Sequence, residues 1–330
     1  MVYVYFIISV IATIIIATKL SKYADAISKK TTFGGAFLGA ILLGGATSLP
    51  EITTSYTAAI IHNPDLILGN ILGSNLFNLL TLAFLNIYFI KKRIFQFKTK
   101  EHLYAALLGL FLTVYLLFGL YIKSDIQIWG VGLDSILLLV GYGFGLWLLS
   151  KIPNDQQAQE ESKPEPNSEV VQSASLRSTT IKFVISCLLI MFFGTILTVT
   201  GDEIAVITGL GSSFVGMFLI AVTTSLPEVV SCIVAVRLGN PSLAIGSVLG
   251  SNLFNLFVLG SSDIFYRSGL LLASVDIFHY LSTITLIVMN IIIVIVLARR
   301  THGTPKYIWV SITVIGLYIL NSLYMFFKPF

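Results

Sequence analysis

The sequence predicts an all-α polytopic membrane protein, ten transmembrane helices arranged as two inverted five-helix repeats. Three observations predict it: an apolar composition divided into helix-length runs, a one-sided distribution of basic residues, and an internal duplication at a fixed offset. Of 330 residues, 56% are hydrophobic and 11% charged, and the mean hydropathy is +0.91. A soluble domain carries about 25% charged residues, so this chain lacks the means to dress a water-facing surface of its size. Disordered, collagen-like and disulfide-scaffold classes are excluded with the ordinary cytosolic enzyme. The two cysteines, Cys187 and Cys232, lie in apolar stretches and say nothing of redox compartment. A net charge of +4 points to no nucleic-acid partner.

Crossing about 30 Å of hydrocarbon takes about 20 mostly apolar residues. The qualifying stretches are 2–18, 33–60, 66–90, 103–122, 126–150, 181–200, 205–236, 243–266, 273–298 and 306–327. Their separation is weakest around 61–65 and 200–204. The first stretch has no basic n-region and no small-residue cleavage site, so it reads as a retained span.

Lysine and arginine orient the spans. With the N-terminus outside, 17 of the 20 basic residues fall in cytoplasmic connections, leaving Lys123, Arg267 and Lys328 outside. Dropping one helix would invert every later loop, so the bias supports ten spans with both termini outside. The expected organisation is a first half over 1–150, a cytoplasmic linker over 151–180 and a second half over 181–330. The linker contains Pro153, Pro164 and Pro166 among Gln, Glu, Ser and Asn, too polar and broken to pack. Its acids lack the spacing of a calcium-binding loop.

The duplication carries the chemistry. Thr47-Ser48-Leu49-Pro50-Glu51 recurs at Thr224–Glu228, Asn63-Pro64 at Asn240-Pro241, and Gly73-Ser74-Asn75-Leu76-Phe77-Asn78 at Gly250–Asn255, always 177 residues on. From Thr47 to Leu79 the copies agree at 18 of 33 positions. Shared hydrophobicity matches Leu with Ile; it does not place Pro, Glu, Asn and Ser in register. Five spans separate equivalent helices, so the copies cross the membrane in opposite directions. Inverted repeats with polar, proline-interrupted helices are the pattern of secondary transporters, whose site lies near the midplane.

Glu51 and Glu228 are the carboxylates that lie inside predicted spans and match between repeats. A charge at the bilayer centre costs at least ~3 kcal/mol, so such groups face a cavity and have a partner. Neither block carries Lys or Arg at helical spacing, so the pair reads as a cation site. Thr47 and Ser48 lie four and three residues before Glu51, on its helix face, as Thr224 and Ser225 do before Glu228. Pro50 and Pro227 free the carbonyls of Ala46 and Thr223, and freed carbonyls at membrane depth need protein or a wet cavity. Ser74 and Asn78 share a face on the next helix, as do Ser251 and Asn255. An all-oxygen set suits hard cations such as calcium or sodium, not zinc or copper. Gly69, Gly73, Gly246, Gly250, Gly141 and Gly145 are assigned to packing. His62, His102, His279 and His302 read as scattered and unmatched, and Asp202 and Glu203 as an outer helix end.

These blocks resemble the alpha repeats of the cation/calcium exchanger superfamily, in its sodium/calcium exchanger branch. The signatures are Thr47–Glu51 with Gly69-Asn70-Ile71-Leu72-Gly73-Ser74-Asn75, and the copy from Thr224. Alpha motifs then fall at about 44–79 and 221–256. The resemblance implies eight core helices around four cation sites, with the first and sixth helices sliding as gates. It implies Glu51 and Glu228 as shared calcium ligands, with backbone oxygens of Thr47 and Thr224. Ser48, Ser74 and Thr47 would build one sodium site, Ser225, Ser251 and Thr224 the other. Gly44 and Ala221 would offer carbonyls, with Asn78 and Asn255 at the middle. Several relatives carry Asp where this chain has Asn255, which argues against potassium coupling.

The expected function is antiport of Ca2+ for Na+ by alternating access in a prokaryotic plasma membrane, with no resident cofactor and no obligate protein partner. Proton/calcium exchange through the same glutamates is the alternative. A cation channel and an intramembrane enzyme built on Ser48 or Ser225 are the readings from other classes. The inverted repeat disfavours the channel, and the absence of a repeated His or Lys base disfavours the enzyme.

Overall fold

A computed structural model describes residues 1–30, 47–90, 94–152, 176–237, 239, 241–299 and 308–327. Apolar runs and caps explain its helices in order. Helix α1 spans Val2–Lys30, and α2 spans Leu49–Ile60. Helix α3, Pro64–Tyr88, starts at a proline that needs no N–H there and is capped by Asn63, whose Oδ1 accepts from the Leu66 amide at 3.0 Å. Helix α4, Lys100–Ile122, opens on a reciprocal cap between Thr99 and His102. A two-residue-per-strand hairpin, β1 Gln127–Ile128 and β2 Val131–Gly132, leads into α5, Leu133–Leu149. The second half contains α6 Leu176–Thr208, α7 Ser212–Arg237, α8 Pro241–Ser262, α9 His279–Ala298 and α10 Ile308–Phe327. Eight of these are long and apolar enough to cross a membrane, α5 is shorter, and the segment before α2 lies outside the described residues.

The 177-residue offset holds through the folded helices. Residues 2–30 of α1 correspond to 179–207 in α6, Pro64 to Pro241, and α5 to residues 310–326 in α10. Packing is reciprocal as well: α1 lies against α6 and α7, while α6 lies against α2, and α3 and α8 meet at the centre. Helix α3 is 89% buried over its most apolar window and α1 only 22%. The outward faces of α1, α4 and α10 expose Ile7, Ile11, Phe111, Phe118, Ile312 and Leu320, a surface that lipid covers and water would not. The molecule is a multi-pass integral membrane protein.

Three sequence readings change. The break expected at 200–204 falls instead at Gly209 and Gly211, whose φ of +66° and +74° suit glycine. Asp202 and Glu203 therefore sit within α6, and Asp202 Oδ1 accepts from Asn63 Nδ2 at 2.5 Å. His102 and His279 are equivalents at the same offset, each at the start of its helix. His279 is buried with Nε2 3.1 Å from Asp65 Oδ1.

The glutamates are not the only acids inside the apolar mass. Asp134 and Asp263 are 6% and 0% exposed. Asp263, just after α8, ties that end of the helix to β2 and to Leu271: Oδ2 accepts from the Gly132 amide at 2.8 Å and Oδ1 from the Leu271 amide at 2.9 Å. The equivalents of Asp263 and Asp134 are Asn86 and Ser311, where Asn86 Nδ2 donates to Ser311 Oγ at 3.0 Å.

Candidate cation site

The glutamates enter the core by different local routes. Pro50 occupies the first turn of α2, where its missing N–H interrupts no interior bond, and Ser48 is the N-cap. Glu51 therefore projects from a helix start, with the Ile52 amide bonded to the Ser48 carbonyl at 3.1 Å. Pro227 lies inside α7, so the Thr223 carbonyl is released as the spacing implies. Earlier in α7, Val215–Ile220 is wound as a π-helix, a form common at functional sites. Ala46 and Gly44 lie outside the described residues.

Glu51 and Glu228 are 1% and 2% exposed, and the hydroxyls facing each belong to the opposite repeat. Thr224 and Ser225 face Glu51, and Thr47 faces Glu228. Ser225 Oγ donates to Glu51 Oε1 at 3.2 Å. The equivalent bond from Ser48 to Glu228 is not made. Glu228 Oε1 and Oε2, Glu51 Oε2, Ser48 Oγ, Ser74 Oγ, Asn78 Oδ1 and Asn255 Oδ1 are all buried without a geometric hydrogen-bond partner among the described residues. These seven account for most of the eleven such side-chain atoms there. Buried polar atoms are nearly always satisfied, and their concentration on two carboxylates and on Ser and Asn side chains of the duplicated blocks is what a cation shell requires.

The other predicted residues divide by how they are engaged. Thr224 Oγ1 donates to the Ala221 carbonyl at 3.2 Å and approaches Asn70 Oδ1 at 3.5 Å. Ser251 is buried on α8, four residues before Asn255. Gly69 and Gly73 serve packing: a Cβ on Gly73 would stand 2.3 Å from the Met217 carbonyl oxygen.

Residue-by-residue reading missed the amides that organise this shell. Asn70 Nδ2 donates to Thr54 Oγ1 at 2.8 Å and Ser55 Oγ at 3.1 Å. Asn75 Nδ2 donates to the Asn252 carbonyl at 3.3 Å, and Asn252 Nδ2 to the Asn75 carbonyl at 3.2 Å. Asn78 Nδ2 donates to Asn252 Oδ1 at 3.0 Å, and Asn255 Nδ2 to Asn75 Oδ1 at 2.9 Å. Each bond maps onto its mate by the 177-residue offset, so the twofold relation of the repeats passes between α3 and α8. The recurrence of Asn75 at Asn252 was the available signal.

Paired half-sites on oppositely directed helices define an inverted-repeat membrane transporter. The sodium/calcium exchanger protein family matches residues 1–151 and 178–327, and the chain belongs to that family. It is 25% identical over 242 residues to the putative antiporter CaxA of Alkalimonas amylolytica, 73% of each chain. To the sodium/calcium exchanger MaX1 of Methanosarcina acetivorans it is 29% identical over 145 residues, 44% of this chain and 39% of that one. Its fold is that of the H+/Ca2+ exchanger CAX, with TM-score 0.70 and 13% identity, covering 99% of this chain and 82% of that chain. It is also that of the sodium-calcium exchanger NCX_Mj, with TM-score 0.59 and 20% identity, covering 97% and 96%.

Proposed function

We propose that the protein exchanges Ca2+ for Na+ by alternating access, with Glu51 and Glu228 as the shared ligands. The observation that carries this reading is that two carboxylates and the Ser and Asn side chains of the duplicated blocks hold seven buried oxygens without a hydrogen-bond partner among the described residues. One Ca2+ neutralises two glutamates, so the loaded site crosses a low-dielectric midplane without net charge. Three Na+ on the same oxygens leave +1, making exchange electrogenic and worth ~2.3 kcal/mol per 100 mV for each net charge moved. Ca2+ and Na+ compete for one set of ligands, and that competition couples them.

The neutral oxygens favour Na+ over H+ as the coupling ion. A proton needs only the carboxylates, whereas Ser48 Oγ and Ser74 Oγ, both buried without partners among the described residues, suit a monovalent metal ion. Ser225, Ser251, Thr47 and Thr224 would serve the equivalent position, with Ala221 and Gly44 contributing carbonyls. The distribution of basic residues supports termini outside and the 151–180 connection in the cytoplasm of a prokaryotic plasma membrane. The chain divides functionally into the halves 1–150 and 181–330, with no resident cofactor.

Calcium uptake into proteoliposomes with sodium and proton gradients imposed independently tests this. Uptake should follow the sodium gradient and generate a membrane potential. Uptake driven by a pH gradient alone would transfer the coupling role to protons on Glu51 and Glu228, and flux indifferent to both would indicate a channel.

A further inference from the structure

We infer that Asn75 and Asn252 are positioning residues of the cation site, each acting through the asparagine of the opposite repeat. The inference rests on the cation-site reading above and concerns side chains which that reading leaves without a role. Asn78 and Asn255 each have one amide nitrogen and one amide oxygen, and only the oxygen is useful to a cation. Their nitrogens are already committed, Asn78 to Asn252 Oδ1 and Asn255 to Asn75 Oδ1. Their oxygens are buried and unpartnered among the described residues.

The direction of every bond in this ring is forced. Asn75 and Asn252 donate through Nδ2 to each other's backbone carbonyls, which accept and never donate. Each therefore presents Oδ1, an acceptor, to the neighbour. Turning any one amide over would set acceptor against acceptor or donor against donor. Two fixed backbone carbonyls thus orient four side chains and aim two oxygens away from the ring. All four asparagines are at most 6% exposed, so water is not at hand to substitute.

The ring also dictates residue type. An ionised aspartate at 255 would bring a carboxylate against Asn75 Oδ1, and Asn75 lacks the freedom to turn, because its nitrogen holds the Asn252 carbonyl. The arrangement therefore selects a neutral donor at 78 and 255, an amide or a protonated acid. The charge of the centre stays with Glu51 and Glu228.

Positioning partners behind a metal ligand typically contribute ~10–100-fold in affinity. The test is Ca2+ affinity and uptake in proteoliposomes for Asn75→Leu, Asn75→Asp, Asn255→Ala and the double variant Asn75→Leu/Asn255→Ala. Asn75→Leu preserves shape without the acceptor and should raise the Ca2+ KM ~10–100-fold. Asn75→Asp, in its protonated form, donates to the Asn252 carbonyl and accepts from Asn255, and should raise it less. In the Asn255→Ala background, Asn75→Leu should add little, because its route to the ion is already removed. Additive losses would overturn the inference, as would equal losses in the Leu and Asp variants or an unchanged KM in Asn75→Leu. Wild-type protein run alongside separates the two readings: sodium-dependent uptake with an unmoved KM in Asn75→Leu defeats the positioning role alone. Melting temperatures of the detergent-solubilised variants identify any change that only weakens the fold.

Discussion

Glu228 illustrates what a buried carboxylate in a membrane core demands. Both its oxygens are buried without a hydrogen-bond partner among the described residues, whereas Glu51 Oε1 accepts from Ser225. Bringing a cation between them compensates both charges at once. Replacing either by Gln leaves one carboxylate to balance a divalent ion. Breaking a buried charge pair costs about 3–5 kcal/mol, so Glu51→Gln and Glu228→Gln should each weaken Ca2+ binding at least ~100-fold in a direct binding measurement. At this scale the sequence was informative where the chemistry was duplicated. Both glutamates, both serine pairs and the Asn78–Asn255 pair could be named from the offset alone. Asn75 and Asn252 could not be given roles, because a hydrogen bond between helices 174 to 180 residues apart leaves no trace in local spacing. His102 and His279 show that the offset held more than was drawn from it.

Helices α3, α7 and α8 show how element boundaries and close contacts arise. Gly201-Asp202-Glu203 lowers local hydropathy without ending α6, because polar residues do not stop a helix when a tertiary partner such as Asn63 donates to them. Glycines of positive φ at 209 and 211 do. Helices α3 and α7 touch through backbone at Gly73, so Gly73→Ala must separate them. Overpacking of this kind costs about 1–3 kcal/mol, which should appear as a lowered melting temperature in detergent. Asp263 holds the Gly132 and Leu271 amides with its two oxygens. Asp263→Asn keeps one acceptor and turns an NH2 toward the other N–H. The unsatisfied amide should cost about 1–3 kcal/mol, read by the same melt.

Across the molecule, the ten-helix plan followed from composition, charge placement and the duplication, since each is set by the bilayer and not by fine packing. What the sequence withheld is which helices form the fixed centre. The asparagine ring joins α3 to α8 across the twofold, while α1 and α6 lie at the periphery. Alternating access built on this plan moves the periphery against a locked centre. Hydrogen exchange should therefore be slowest in α3 and α8 whether or not Ca2+ is present, with Ca2+-dependent change concentrated in α1 and α6.

The claim on which the rest depends is that Glu51 and Glu228 form one site shared by both ions. Equilibrium Ca2+ binding to purified protein, with Na+ as competitor, measures it most directly. The wild type should bind Ca2+ and release it as Na+ rises, and Glu51→Gln/Glu228→Gln should bind neither ion at that site. Calcium binding that survives the double substitution, or that Na+ fails to displace, would contradict it.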